Sequence, residues 1–138
     1  MATERTLLAT VGVDTGTSRY DILIGRGLMA DTATWAGLPR ASHAVIVSNT
    51  SIGPLYAGRL KAALAQHYAQ VSVLELPDGE AHKDWPALNS IFDHLLGSGC
   101  DRKTVLFALG GGVVGDMTGF AAGCGTTCTA RCCRWPTP

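Results

Sequence analysis

Apolar and polar positions follow two periods along this chain, and the places where one period gives way to the other predict its elements. Thr6 to Val13 and Arg19 to Ile24 read as β-segments joined by Asp14-Thr15-Gly16-Thr17-Ser18. Tyr20, Ile22 and Ile24 alternate with Asp21 and Leu23, so a hairpin with one partly buried face is expected. A short helix is predicted around Leu28 to Ala36, stopped by Gly37 and Pro39. Ala44 to Val47 is a short apolar strand running into Ser48-Asn49-Thr50. Pro54 to Tyr68 reads as a helix with Tyr56, Leu60, Ala63, Leu64 and His67 along one stripe. Val71 to Leu76 is the next strand, closed by the turn signal Pro77-Asp78-Gly79. From about Asp84 to Leu96 the positions Leu88, Ile91, Phe92, Leu95 and Leu96 mark one helical face. Asp84 can cap its start, and Gly97 with Gly99 can end it.

The stretch Lys103 to Ala122 organises the rest. A continuous apolar run, Thr104 to Leu109, reads as a strand buried on both faces of a parallel sheet. Gly110, Gly111 and Gly112 let the backbone turn and lie close to a ligand, and from Val113 a helix can begin. The free N–H groups and dipole at its start suit a phosphate. Asp116 falls in its first turn, and Gly115 and Gly119, four apart, are expected to let it pack tightly on the sheet. Gly110, Gly112 and Gly115 match G-x-G-x-x-G, but the acidic partner about twenty residues downstream is missing. A tight turn with close helix–sheet packing and no ligand fits the same residues.

Strand and helix thus alternate three times after a two-stranded start. The expected fold class is α/β, with an open Rossmann-like parallel sheet. Ligands of such sheets bind beyond the carboxyl ends of the strands. Ser48-Asn49-Thr50, Asp78 to Lys83 and Gly110 to Gly112 are therefore candidates for one site. In the second loop Glu80 could accept from both hydroxyls of a ribose, and Lys83 could reach a phosphate or ribose oxygen. A solvated turn with an i, i+3 ion pair is the alternative. Asn49 fits either a site residue or a turn former. His82 and His94 have no ligand partners at metal spacing and read as surface or helix-face histidines.

Composition narrows the class. The 138 residues carry zero formal net charge and only 16% charged residues, which favours neither a nucleic-acid nor a membrane partner. No apolar run approaches a bilayer span, so a cytoplasmic protein is expected.

Two long segments carry a family resemblance: Leu76-Pro77-Asp78-Gly79-Glu80-Ala81-His82-Lys83, and Leu109 through Ala122, LGGGVVGDMTGFAA. With Tyr20 to Gly25, Val47 to Thr50 and Gly53 to Tyr56 in support, residues from about 5 to 122 resemble 3-dehydroquinate synthase. His82 stands where that family usually has an aromatic or similar residue. The resemblance implies the N-terminal domain of the dehydroquinate synthase fold, here incomplete. It implies conversion of 3-deoxy-D-arabino-heptulosonate 7-phosphate, a phosphorylated sugar acid, to 3-dehydroquinate and phosphate in the shikimate pathway. It also implies bound NAD, a divalent metal (zinc or cobalt) and a homodimer. It assigns Asp78, Gly79, Glu80 and Lys83 to NAD, with Asn49 near the adenosine end. Gly111, Gly112, Val113 and Asp116 fall to the pyrophosphate and nicotinamide side. A related sugar-phosphate cyclase shares fold and cofactor, and a non-catalytic nucleotide-binding module is a further alternative.

The family pattern breaks after Ala122, which divides the chain into an NAD-binding α/β domain, residues 1–122, and an atypical tail, residues 123–138. Gly123 to Pro138 contains no Val, Ile, Leu, Met or Phe, but four of the five cysteines: Cys124, Cys128, Cys132 and Cys133. Three readings compete: a metal site, since Cys124-x3-Cys128 falls within zinc spacing, a disulfide-bearing extension, which a cytosolic redox state argues against, and a shifted reading frame, which is favoured because the break falls inside a motif and the tail has no periodicity. The family's metal ligands and catalytic lysines lie beyond that break, so this chain is expected to hold no catalytic residue or metal ligand and to be inactive alone. The strand before the glycines is expected to be left with a bare edge that the tail cannot cover.

Overall fold

The computed structural model describes Glu4 and residues 6–125 and 129–134. The chain divides into two compact units, Met1–Gly37 and Leu38–Pro138. The first holds an antiparallel hairpin of β1 (Thr6–Asp14) and β2 (Arg19–Arg26), with Asp14 opposite Arg19 beside the turn. Asp14 shapes that turn: its carboxylate accepts from Gly16 N at 2.8 Å and from Arg19 Nε at 2.7 Å. The expected burial of one face is not found. Tyr20, Ile22 and Ile24 remain 49%, 44% and 48% exposed, because a two-stranded ribbon has no second layer of its own.

The predicted helix over 28–36 is instead two separate 3-10 turns, Leu28–Ala30 and Thr32–Trp35. Asp31 divides them. Its backbone is extended, and its side chain accepts from Ala33 N to start the second turn. Trp35 is buried and donates its Nε1 proton to the Met29 carbonyl at 2.9 Å.

The second unit is a parallel sheet of β3 (His43–Asn49), β4 (Gln70–Leu76), β5 (Val105–Gly110) and β6 (Thr129–Arg134), in the order β4-β3-β5-β6. The central strands β3 and β5 are buried almost throughout, as continuous apolar runs covered on both faces require. Alternate residues serve opposite faces. Val45, Val47, Leu106 and Ala108 pack with Leu88 and Ile91 of α2 (Trp85–Gly97) and with Val114, Met117 and Ala121 of α3 (Gly112–Gly125). On the other face Phe107 meets Tyr68 edge to face, with ring centroids 6.0 Å apart. Leu60 and Leu64 of α1 (Gly53–Leu64) are also fully buried.

Three expectations change here. The stripe on α1 runs through Ala57, Leu60, Ala63 and Leu64, and His67 lies past the helix end, exposed. Leu96 leaves the α2 stripe and is 79% exposed. The bare edge expected on β5 is taken by β6, whose pairing runs from Val105 opposite Thr129 to Gly110 opposite Arg134. Backbone pairing needs no particular side chain, so the absence of Val, Ile, Leu, Met and Phe did not prevent it. The helix likewise crosses Ala122 and ends at Gly125. Cys128 lies outside the described residues, and Cys124 is exposed with a free thiol.

Candidate functional site

The strand order fixes where a ligand can enter. From β3 the chain passes through α1 outward to β4; after α2 it returns to β5 and moves outward the other way to β6. The order therefore reverses between β3 and β5, and the crevice beyond their carboxyl ends is the topological switch point. Ser48 ties the two ends together: its hydroxyl, fully buried, donates to the Leu109 carbonyl at 2.8 Å.

On the β3 side, Asn49 forms the turn into α1. Its Oδ1 accepts from Ser51 N at 3.1 Å and Ile52 N at 2.8 Å, and its Nδ2 donates to Asp78 Oδ1 at 3.1 Å. Ser51 Oγ donates to the other Asp78 oxygen at 2.6 Å. Both oxygens of Asp78 are thus engaged within the protein. Ser51 was not singled out from the sequence; the only signal for it is its place in the polar run after an apolar strand. The amino end of α1 carries a further carboxylate of the chain itself. A Cβ on Gly53 would lie 2.5 Å from Glu75 Oε1, so this helix start is already occupied.

The β4 loop turns at Gly79, whose φ of 108° is open to glycine and strained for other residues. A single 3-10 turn, Glu80–His82, follows, and its three-residue period brings Glu80 and Lys83 to one side. Lys83 Nζ lies 3.7 Å from Glu80 Oε1 and donates to Asp116 Oδ2 of α3 at 2.9 Å. The hydrogen bond and charge of Asp116, with a smaller contribution from Glu80, hold the Lys83 ammonium above its ordinary 10.5. The i, i+3 ion pair considered as an alternative is therefore present, but with Asp116 as its nearer partner. His82 is exposed, and His94 Nε2 lies 2.9 Å from Ser72 Oγ on β4.

On the β5 side only Gly110 of the three glycines has positive φ, at 156°. A Cβ there would come within 3.1 Å of Val114 Cγ2. Gly111 ends the turn, its carbonyl accepting from Gly115 N at 3.1 Å. Gly112 and Val113 open α3, whose first N–H groups have no acceptor within the helix. A Cβ on Gly112 would meet nothing within 4 Å. This opening is therefore free to take a ligand close to the backbone, whereas the start of α1 is filled. The expectation for Gly119 fails: it is exposed with no neighbour to its missing Cβ, and α3 packs through Val114, Met117, Thr118, Ala121 and Ala122. Helix phase places position 119 away from the sheet.

The structure thus brings Asn49 to Asp78, and Glu80 to Lys83 and Asp116, at the edge where Gly111, Gly112 and Val113 begin α3. The free helix start suits a diphosphate and the Glu80 turn a diol, so the residues fit a dinucleotide. Among the described residues no three His, Cys, Asp or Glu side chains gather to hold a metal ion. A divalent metal does not fit them. No helix among the described residues is long and apolar enough to cross a membrane.

Residues 73–137 match the family described as 3-dehydroquinate synthase N-terminal, which bears out the resemblance seen in the sequence. The match covers the Glu80 turn and the glycine turn and runs past Ala122. Solved structures of 2-deoxy-scyllo-inosose synthase share the fold. One aligns at 16% identity over 91% of this chain and 36% of its own, with a TM-score of 0.80. Another, complexed with carbaglucose-6-phosphate, NAD+ and Co2+, aligns at 19% identity over 94% and 35%, with a TM-score of 0.79. ValA, the 2-epi-5-epi-valiolone synthase of Streptomyces hygroscopicus subsp. jinggangensis 5008, solved with NAD+ and Zn2+ bound, aligns at 26% identity. That alignment covers 75% of this chain and 29% of the other, with a TM-score of 0.58. The present chain spans about a third of the length of these enzymes.

Proposed function

With residues 73–137 matching the 3-dehydroquinate synthase N-terminal family, we propose that this chain is the NAD-binding portion of a 3-dehydroquinate synthase. The whole enzyme would convert 3-deoxy-D-arabino-heptulosonate 7-phosphate to 3-dehydroquinate and phosphate, with a divalent metal, as a cytoplasmic homodimer of the shikimate pathway. The observation that carries the reading is the unfilled start of α3 beside the Glu80 turn, both at the switch point.

In this reading the first N–H groups of α3, at Gly112 and Val113, hold the diphosphate, with Gly111 allowing its approach. Glu80 accepts from the ribose hydroxyls, with Lys83 beside it. Asp78 and Gly79 shape that turn, Asn49 closes the adenosine end, and Asp116 lies toward the nicotinamide. Bound NAD would supply the reversible hydride acceptor for transient oxidation of a substrate hydroxyl. The part of these residues is to bind and orient it. Calorimetry with NAD+ on the 138-residue chain tests the assignment. Glu80→Ala should weaken binding by ~1.5–3 kcal/mol, the value of a hydrogen bond to a charged group, or about ten- to hundredfold. Unchanged affinity in that variant would refute it.

A second reading, another sugar-phosphate cyclase, is favoured by the enzymes whose fold this chain shares. In the whole enzyme, phosphate release from the heptulosonate phosphate rather than from glucose 6-phosphate separates the two.

A further inference from the structure

The turn that carries Glu80 buries none of its own residues. Every residue of 77–86 is exposed, and a Cβ on Gly79 would meet nothing within 4 Å. Polar anchors take the place of a core. On one side the Asp78 carboxylate is held by Asn49 and Ser51 at the end of β3, at 3.1 and 2.6 Å. On the other, Lys83 reaches Asp116 on α3 at 2.9 Å. The turn is slung between the two sides of the switch point, with Glu80 between its anchors. Lys83 also stands between two carboxylates, Glu80 and Asp116, and offsets charge that would otherwise oppose a diphosphate at the start of α3.

We infer that Asp116 is a positioning residue: acting through Lys83, it straps the Glu80 turn to the first turns of α3 and sets the spacing between diol acceptor and anion seat before a ligand arrives. This rests on the reading of the edge as a dinucleotide site. The raised Lys83 ammonium is consistent with a strap that persists without ligand. Both groups are partly open to water, at 38% and 62% of their side-chain surfaces, so its effect is modest.

The test uses the 138-residue chain, with Asp116→Asn, Lys83→Met, the two combined, and the reversed pair Lys83→Asp with Asp116→Lys. Without nucleotide, amide exchange at His82 and Lys83, whose N–H groups close the 3-10 turn, should quicken about two- to fivefold in either single variant, the range of an exposed ion pair. The combined variant should be no worse than either alone, and the reversed pair should regain protection. In calorimetry Asp116→Asn should weaken NAD+ by a similar factor and leave inorganic pyrophosphate, which has no diol, no weaker. Exchange unchanged in the single variants would overturn the inference. So would NAD+ affinity that falls without any change in exchange, since Asp116 would then touch the nucleotide itself. If exchange follows the pair but neither ligand binds, the strap stands and the dinucleotide reading fails.

Discussion

Gly110 and Gly112 are two residues apart in one motif, yet the structure gives them opposite sensitivities. At Gly110 the backbone has a φ of 156°, and a Cβ would meet Val114 Cγ2 at 3.1 Å and Val114 Cβ at 3.3 Å. Val114 is branched and 2% exposed, so it has no room to turn aside. Gly110→Ala should therefore cost about 1–3 kcal/mol of stability, the range for a residue forced into a sparsely populated backbone region. At Gly112 a Cβ would meet nothing within 4 Å, and the residue is helical. Gly112→Ala should leave stability unchanged or raise it by up to about 1 kcal/mol, because glycine loses more backbone entropy in a helix. Gly112→Val should still fold, but would put a branched side chain where the diphosphate must lie. We expect at least a tenfold loss of NAD+ affinity, which is about 1.4 kcal/mol. Urea unfolding and calorimetry on the same preparations separate the two effects. The reasoning is refuted if Gly112→Val binds NAD+ normally, or if both substitutions destabilise the chain alike.

Other outcomes follow from the same geometry. Asp84→Ala removes the acceptor for Ala87 N at 3.0 Å that starts α2 and should cost ~0.5–2 kcal/mol in urea unfolding. Lys83 has a raised folded value, so its contribution is complete below 10.5 and is lost as pH rises through the raised value. Exchange protection of the Glu80 turn should therefore stay flat through neutral pH and fall only in strong alkali. The 138-residue chain, given NAD+, zinc and the heptulosonate phosphate, should release no phosphate above background in a phosphate assay, because no metal-binding group is formed among its described residues.

Most of the second unit was legible because its signals are local and strong. Continuous apolar runs marked β3 and β5, and Asp84 announced the start of α2 by the chemistry it then shows. Placing three loops at one sheet edge needed only alternation of strand and helix. The failures have a common cause, in that one-dimensional patterns carry no knowledge of what lies opposite. The hairpin alternates as a half-buried strand should, yet among the described residues of its unit no further strand pairs with it and its apolar face stays exposed. Gly119 sits one turn from Gly115, yet helix phase leaves it facing away from the sheet. Within the site, the sequence marked Asn49, Asp78, Lys83 and Asp116 as candidates for a ligand. It held no sign that Asn49 would pair with Asp78 or Lys83 with Asp116, because a contact 29 or 33 residues apart is set by topology and not by spacing.

Residues 123–138 combine a fitting place in the fold with an ill-fitting composition. The helix continues to Gly125, Thr129–Arg134 pairs in register along β5, and the family match reaches residue 137. By placement this is the strand the fold requires. By composition it is not, since a parallel strand is ordinarily a near-continuous run of Val, Ile and Leu, and Thr129–Arg134 reads TARCCR. Main-chain hydrogen bonding tolerates that mismatch, whereas apolar burial, at about 25 cal/mol per Å2 of apolar surface, does not reward it. Residues such as Arg131, Cys132, Cys133 and Arg134 where Val, Ile and Leu are usual are what a shifted frame would leave, because a shift replaces every residue that follows it. We therefore propose that the coding sequence changes frame near codon 122. Translating the other two frames downstream should reveal an apolar strand followed by a Pro-Thr-Thr turn, then lysines, a glutamate and two histidines. Restoring that frame should raise stability and allow phosphate release. If neither frame holds such a continuation, the tail is native to the gene and its cysteines need an account of their own.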